Sequence, residues 1–475
     1  MSREWWNRNL SRSRLRYWRS ASYLKRDKSM PMKYLTLLPV LLSVLLGLFS
    51  HSQAAAQAPP ADSAAYHRLA NETEANLQKQ VLAQWFPRAV DPAGGFFQNY
   101  TEDWKRGTGN EKSIVYQARL TWVASQAALR YPEQATTYRS YARHGLDFLE
   151  TKMWDKKNGG FYWGLDDQGQ PERGGEKHVY GISFAIYALC GEYKATHDTR
   201  ALQQAQRAYQ WLEAHAHDSK NGGYYEALTP AGRPILAPLG PAQVSDEIGT
   251  HYGIKTMNTH IHLLESLTAL YEIWPDNELR TRLEEVFALV RNKIAVEPVG
   301  CLNYLFLTDW RPLPDHDSFG HDVETAFLLT EAAAALGRPN DTRTWALARR
   351  IVDHALDYGW DTAHGGFYDS GSVFGGKPYL TEKIWWVQAE GLNALLLMHV
   401  RYGKETPRYW DAFNRQWEFI RNHQTDAVYG GWFATTLENG DAIPGRAKSD
   451  GWTECYHQGR ALLNVSESLR RLAGK

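Results

Sequence analysis

Apolar residues recur at i, i+3, i+4 and i+7 in two interleaved sets of segments, the pattern of helices with an apolar face. One set covers 63–88, 135–153, 199–216, 277–294, 341–358 and 406–423 and carries charged faces, as from Arg280 to Glu285. The other covers 112–131, 177–195, 258–274, 321–336, 382–402 and 456–473 and is more apolar all round, as from Ile384 to Met398. A helix that is apolar all round is buried, and one with a charged face meets water, so the second set is expected inside the first.

Between the sets, a glycine pair followed by two aromatics recurs at Gly94-Gly95-Phe96-Phe97, Gly159-Gly160-Phe161-Tyr162, Gly222-Gly223-Tyr224-Tyr225, Gly365-Gly366-Phe367-Tyr368 and Gly430-Gly431-Trp432-Phe433. The separations are 65, 63, 143 and 65 residues, and a degenerate copy, Gly300-Cys301-Leu302-Asn303-Tyr304, falls inside the long gap. Six units of one hairpin each follow from that period. The expected fold is all-α: an (α/α)6 toroid, or barrel, of six helical hairpins with short Gly-Gly-aromatic loops or hairpins at one rim. An open solenoid is the alternative.

Composition narrows the class. The chain has 475 residues, 43% hydrophobic and 13% aromatic, with formal charge zero, so nothing draws it to nucleic acid. Residues 1–29 hold nine basic side chains against two acidic, and Lys33 leads into an apolar run from Tyr34 to Phe49 broken by Pro39, Ser43 and Gly47. That run is short for a membrane span, and Ser52-Gln53-Ala54-Ala55-Ala56 supplies small residues for cleavage. Residues 1–56 therefore read as a basic leader and signal peptide, with translation expected from Met30 or Met32. Residues 57–475 read as a single catalytic barrel, exported to the periplasm or secreted, monomeric and without stable membrane association. The mature part has 43 basic against 51 acidic groups. Cys190, Cys301 and Cys455 lie too far apart for a Cys-x-x-Cys knuckle and read as packing residues.

Candidate chemistry collects at the starts of the inner helices. Lys112 and Arg119 stand on the first, and His178, Tyr180 and Phe184 on the second. On the third, Asn258, His262 and Glu265 share a face while His260 points elsewhere. His321 and Glu324 stand on the fourth, Trp385, Trp386 and Glu390 on the fifth, and Trp452, His457 and Arg460 on the sixth. The histidines at 260 and 262 diverge on a helix, which argues against a catalytic metal. Gly-x-Gly-x-x-Gly, Gly-Lys-Ser/Thr and Gly-x-Ser-x-Gly motifs are absent, so no cofactor is expected. Imidazoles beside flat aromatic faces suit proton transfer on a sugar. A glycoside hydrolase using Glu324, Glu390 or Asp246 is the rival reading.

Through Gln117-Ala118-Arg119, Lys255 to His262, Gly320-His321-Asp322-Val323-Glu324, Trp385 to Glu390 and Trp452 to His457, the chain resembles the acylglucosamine 2-epimerase superfamily, and within it the cellobiose 2-epimerases. The resemblance implies epimerisation at C2 of the reducing-end glucose or mannose of a β-1,4-linked disaccharide, through an enediolate. It implies His321 and His457 as the two bases, His262 assisting and Arg119 stabilising the enediolate oxygen. Asn258 and Glu324 would hold hydroxyls and orient histidines, Trp386 and Trp452 would stack on sugar, and Tyr180 and Glu390 would complete the substrate site. An aldose-ketose isomerase on the same residues is the near alternative. Glu454 and Cys455 stand where the family usually has Cys-Pro, and the segment Asp246 to Ile254 differs from its usual acidic loop.

Overall fold

Three of the six inner helices start where a residue with a side-chain acceptor follows a short extended segment. Ser113, His178 and Thr256 accept from the backbone N–H groups of Tyr116, Tyr180 and Thr259, so the first exposed amide donors are satisfied and the helix begins there. Asp198, Asp276 and Asp341 do the same for three outer helices.

The computed structural model describes residues 63–474, so the expected leader and signal peptide lie outside the described residues. Twelve long helices alternate among them: α1 Ser63–Asn76, α2 Ile114–Arg130, α3 Ala135–Phe148, α4 Val179–Thr196, α5 Thr199–His215, α6 Met257–Ile273, α7 Asn277–Leu289, α8 Phe319–Ala335, α9 Thr342–Tyr358, α10 Trp385–Tyr402, α11 Arg408–Phe419 and α12 Tyr456–Leu472. The even helices pack on one another in sequence, α12 returns to α2, and α12 also packs on α1, so the ring closes. Each even helix carries its following odd helix on the outside. This is the (α/α)6 toroid, with the apolar set inside as its hydrophobicity requires. Four outer helices, α1, α3, α7 and α11, run on into a wider π turn. No helix among the described residues is long and apolar enough to cross a membrane.

The boundary expectations fail at inner-helix starts. The helix expected from 382 begins at Trp385, because Lys383–Ile384 is extended and pairs antiparallel with Thr435–Thr436 of the next unit. Lys112–Ser113 pairs likewise with Gly164–Leu165, and Lys177–His178 with Ala227–Leu228. Around the ring, Tyr100 pairs with Ser449, its amide donating to the Ser449 carbonyl at 3.0 Å. The glycine loops are single-bridge turns, such as Trp154 with Phe161, that feed these cross-unit pairs.

Beneath five of the six loops lies a buried ion pair that the sequence reading missed. Lys112, Lys177, Lys255, Lys383 and Lys448 donate to Asp91, Asp155, Asp218, Asp361 and Asp426 at 2.8, 2.8, 2.7, 2.8 and 2.5 Å. The second oxygen of each aspartate accepts loop amides: that of Asp361 takes Ala363 and His364 at 2.8 and 3.0 Å. Lys255 and Lys383 also donate to the carbonyls of Gly222 and Gly365. Each pair therefore ties the end of an outer helix to the start of its inner helix. Glycine is required above it: Gly160 has φ +73°, and a Cβ there would lie 2.8 Å from Trp211 and 3.0 Å from Lys177. Lys112, which the sequence placed among the funnel residues, belongs to this set instead.

Removing one partner of a buried pair leaves a charge without compensation. Lys383→Met is expected to lower stability by about 3–5 kcal/mol in chemical denaturation. Burial raises the Asp361 pKa, but Lys383 and the His364 amide outweigh it and hold the carboxyl at about 2. Its contribution is thus present above the unfolded value of about 4 and lost as pH falls toward 2. Unfolding followed against pH should show that acid loss in the native protein, and a smaller one in Lys383→Met.

Candidate active site

At the centre of the ring, Arg460 on α12 joins three inner helices. Its guanidinium donates to Glu265 of α6, to Glu324 of α8 at 2.5 Å and to Glu390 of α10 at 2.7 Å. Glu265, Glu324, Glu390 and Arg460 are all buried. One cation facing three carboxylates leaves a surplus of negative charge, and a buried surplus is relieved by holding a proton. Burial first, and then the neighbouring Glu324, push Glu390 up to about 8 against the pull of Arg460. Glu265 goes the other way, to about 2, because Arg460, His262 and Tyr456 outweigh its burial.

The glutamates hold two of the histidines. His457 Nδ1 lies 2.8 Å from Glu390 Oε1 and 3.8 Å from Glu324 Oε1, and His262 Nδ1 lies 3.0 Å from Glu265 Oε2. His321 Nδ1 is 2.7 Å from the Ser318 hydroxyl. All three rings are thus anchored through Nδ1, which leaves Nε2 as the nitrogen available to a substrate. Burial, then the neighbouring positive groups, hold His321 and His457 well below the usual imidazole value, so both are neutral near pH 7. Trp386 contacts both, its ring centroid 4.7 Å from that of His321 and 5.5 Å from that of His457.

Opposite, Arg119 of α2 donates to Glu454 at 2.9 Å and to the Tyr180 hydroxyl at 3.1 Å. Its guanidinium lies over the Phe184 ring at 4.1 Å. Trp452 stands 5.9 Å from Trp163 and 6.3 Å from Tyr180, and His262 is 5.3 Å from Tyr180, so these aromatics line one continuous wall. Asn258 is half-buried at the start of α6, with its side-chain oxygen unpartnered. The structure therefore brings Arg119, Tyr180, His262, His321, Glu324, Trp386, Glu390, Trp452 and His457 around one centre. Glu324 and Glu390 have no exposure and face Arg460 and His457, so they orient the histidine and stand back from solvent.

Two other residues fall elsewhere. His260 accepts the Tyr224 amide at 3.0 Å, contacts the Thr256 carbonyl at 2.7 Å and packs against Trp310, tying α6 to its glycine loop. Asp246 lies 3.0 Å from His178, the cap of α4, outside the histidine centre. The role of Arg460 as hub was not read from sequence, because its carboxylates come from positions 70, 136 and 195 residues earlier. Glu454, which departs from the usual motif, is the partner of Arg119.

A family model described as N-acylglucosamine 2-epimerase (GlcNAc 2-epimerase) matches residues 95–461, and the chain belongs to that family. The cellobiose 2-epimerase of Bacteroides fragilis is 31% identical over 403 residues, covering 84% of this chain and 98% of that one. The D-mannose isomerase of Marinomonas mediterranea is 25% identical over 420 residues, covering 83% and 96%. The solved structure of cellobiose 2-epimerase from Spirochaeta thermophila superposes with a TM-score of 0.75 at 31% identity, covering 86% of this chain and 98% of its own. The protein is an enzyme of the sugar epimerase and isomerase class.

The hub can be tested without removing its charge. Lysine lacks the planar fork, so Arg460→Lys cannot hold three carboxylates in place. Since a misplacement of about 1 Å can cost 10²-fold, kcat should fall by about that factor while the melting transition stays cooperative. Steady-state kinetics with a denaturation curve on the same preparation measures both.

Proposed function

We propose that the enzyme is a 2-epimerase acting on the reducing-end glucose or mannose unit of β-1,4-linked disaccharides of the cellobiose, mannobiose or lactose type. The observation that carries this is the placement of His321 and His457 on two different inner helices, both against the Trp386 ring and each anchored through Nδ1. Inverting C2 requires proton removal on one face of the sugar and proton return on the other, and two fixed imidazoles meet that need. Trp386 and Trp452 offer flat faces to pyranose rings. The relatives named for cellobiose supply the substrate class, and the one named for mannose supplies the alternative of an aldose-ketose isomerase.

The sugar ring opens, and the C2 proton passes to Nε2 of one histidine, leaving an enediolate whose developing negative charge faces Arg119. The other histidine delivers a proton to the opposite face. His457 and Glu390 act as one unit holding one proton, because the carboxyl at about 8 is hydrogen-bonded to the imidazole Nδ1. His321, held by a neutral hydroxyl, has no such reserve. In one direction His321 accepts and the His457–Glu390 unit donates; in the reverse direction the roles exchange. These steps call only on the side chains named. Hydrolysis would need two carboxylates at a scissile bond, and Glu324 and Glu390 are both engaged by Arg460.

Incubation with cellobiose separates the readings: a new disaccharide of unchanged mass supports epimerisation, free glucose means hydrolysis, and a ketose means isomerisation. His321→Ala and His457→Ala should each lower turnover by about 10² to 10⁴, with helical content intact. His260→Ala should stay within a few fold of wild type but melt earlier, since the Tyr224 amide loses its acceptor. Retention of near wild-type turnover by either His321→Ala or His457→Ala contradicts the two-base assignment.

The pH profile follows from the same groups. Both histidines must be neutral to accept, and their values lie well below 6.5, so kcat/KM should hold through pH 6 instead of falling there. The donor loses its reserve proton as pH rises past about 8, so activity should decline above that point. Glu390→Gln should weaken the alkaline decline together with kcat.

A further inference from the structure

The fourth unit departs from the other five at every position of the loop staple at once. Matching backbone bonds set the alignment: the Gly300 amide donates to the Val296 carbonyl as Gly430 does to Asp426, and Asn303 donates to Ile294 as Phe433 does to Gln424. Val296 thus replaces the loop aspartate, Cys301 replaces the second glycine, and Asp317, in the strand before α8, replaces the lysine. On the neighbouring outer helix, Trp211 and Phe419 lie beside the lysine of their units at 5.5 and 4.3 Å, and His354 of α9 stands in that place. A lysine stem crowds the Cβ position of Gly160 and Gly366, and the shorter Asp317 frees that space for the Cys301 side chain.

The replacements meet each other. His354 Nε2 lies 2.8 Å from Asp317 Oδ2, and donor atoms of Cys301, Asp317 and His354 all fall within 4.8 Å of one another. Asp322, one turn into α8, is fully buried with its carboxyl against that of Asp317 and the Leu302 amide beside it. No lysine or arginine pairs with either aspartate among the described residues. A thiol, an imidazole and two carboxyls, withdrawn from water with no lysine or arginine among them, form a set of donors suited to a cation.

We propose that Cys301, Asp317 and His354 bind one zinc ion that takes the place of the lysine–aspartate pair in the fourth unit, with Asp322 as the neighbouring carboxyl. Thiolate and imidazole donors select a borderline transition metal and disfavour magnesium or calcium, and a thiolate, an imidazole and a carboxylate fill three positions of tetrahedral zinc. On binding, the Cys301 thiol forms the Zn–S bond and releases its proton to water. The metal ties the glycine loop, the strand before α8 and the outer helix α9, as the lysine does elsewhere. Its role is structural and separate from the histidine centre, whose Glu324, Glu390 and His457 contain no thiol.

Cobalt tests this directly, since a thiolate–cobalt charge-transfer band in the near ultraviolet arises only at a site with cysteine. The full chain expressed in cobalt-supplemented medium should carry about one metal per chain with that band and tetrahedral visible bands, and zinc should displace it. Cys301→Ser should abolish the thiolate band. A chain with the staple restored, Val296→Asp, Cys301→Gly, Asp317→Lys and His354→Phe together, should fold and carry no metal at this site. Absence of the band in the wild-type chain, its survival in Cys301→Ser, or zinc content equal in the wild-type and restored chains by elemental analysis would each overturn the proposal. If the carboxylates instead share a proton alone, Asp322→Asn should raise the melting temperature and no chain should take up metal, which also overturns it.

Discussion

One buried guanidinium facing three carboxylates sets the geometry of this active site. Arg460 holds Glu265, Glu324 and Glu390 from three helices, and Glu265 and Glu390 in turn fix His262 and His457 through Nδ1. The imbalance of charge is useful: three acids around one base retain a proton, and that proton sits one hydrogen bond from an imidazole. Pairing and protonation are therefore a single constraint, and any change to Arg460 alters both where the histidine points and what it carries.

The ring makes such a hub possible. Six inner helices converge their first turns on one centre, and each start is held by a loop, a cross-unit strand pair and, in five units, a buried lysine–aspartate pair. These pairs hold backbone segments in register where two-residue strands alone would be weak. The outer helices contribute by supplying the aspartates and the aromatic rings over the lysines, so the rigid part of the site extends well outside its lining.

Periodicity and the glycine pairs were enough to read the toroid, because both are local signals repeated six times. Four of the six inner-helix starts were misread by two or three residues, as where Lys383 and Ile384 look helical in isolation and become strand only by pairing with Thr435 and Thr436. The lysine–aspartate staple was visible in principle, as an aspartate three or four residues before each of the five glycine pairs and a lysine before five of the six inner helices. It escaped notice because partners 21 or 22 residues apart in four units and 37 in the third fit no helical or strand period. His321, His457 and Arg119 were legible through motif resemblance. The hub was not, because Arg460 meets Glu265 only after the ring has closed.

The most direct measure of the proton-transfer account is the fate of the C2 hydrogen. In heavy water, cellobiose converted by the wild-type enzyme should give an epimer carrying solvent deuterium at C2, with the glycosidic bond intact, as read by proton NMR and mass spectrometry. An epimer that keeps its original C2 hydrogen would contradict transfer between two imidazoles exchanging with solvent.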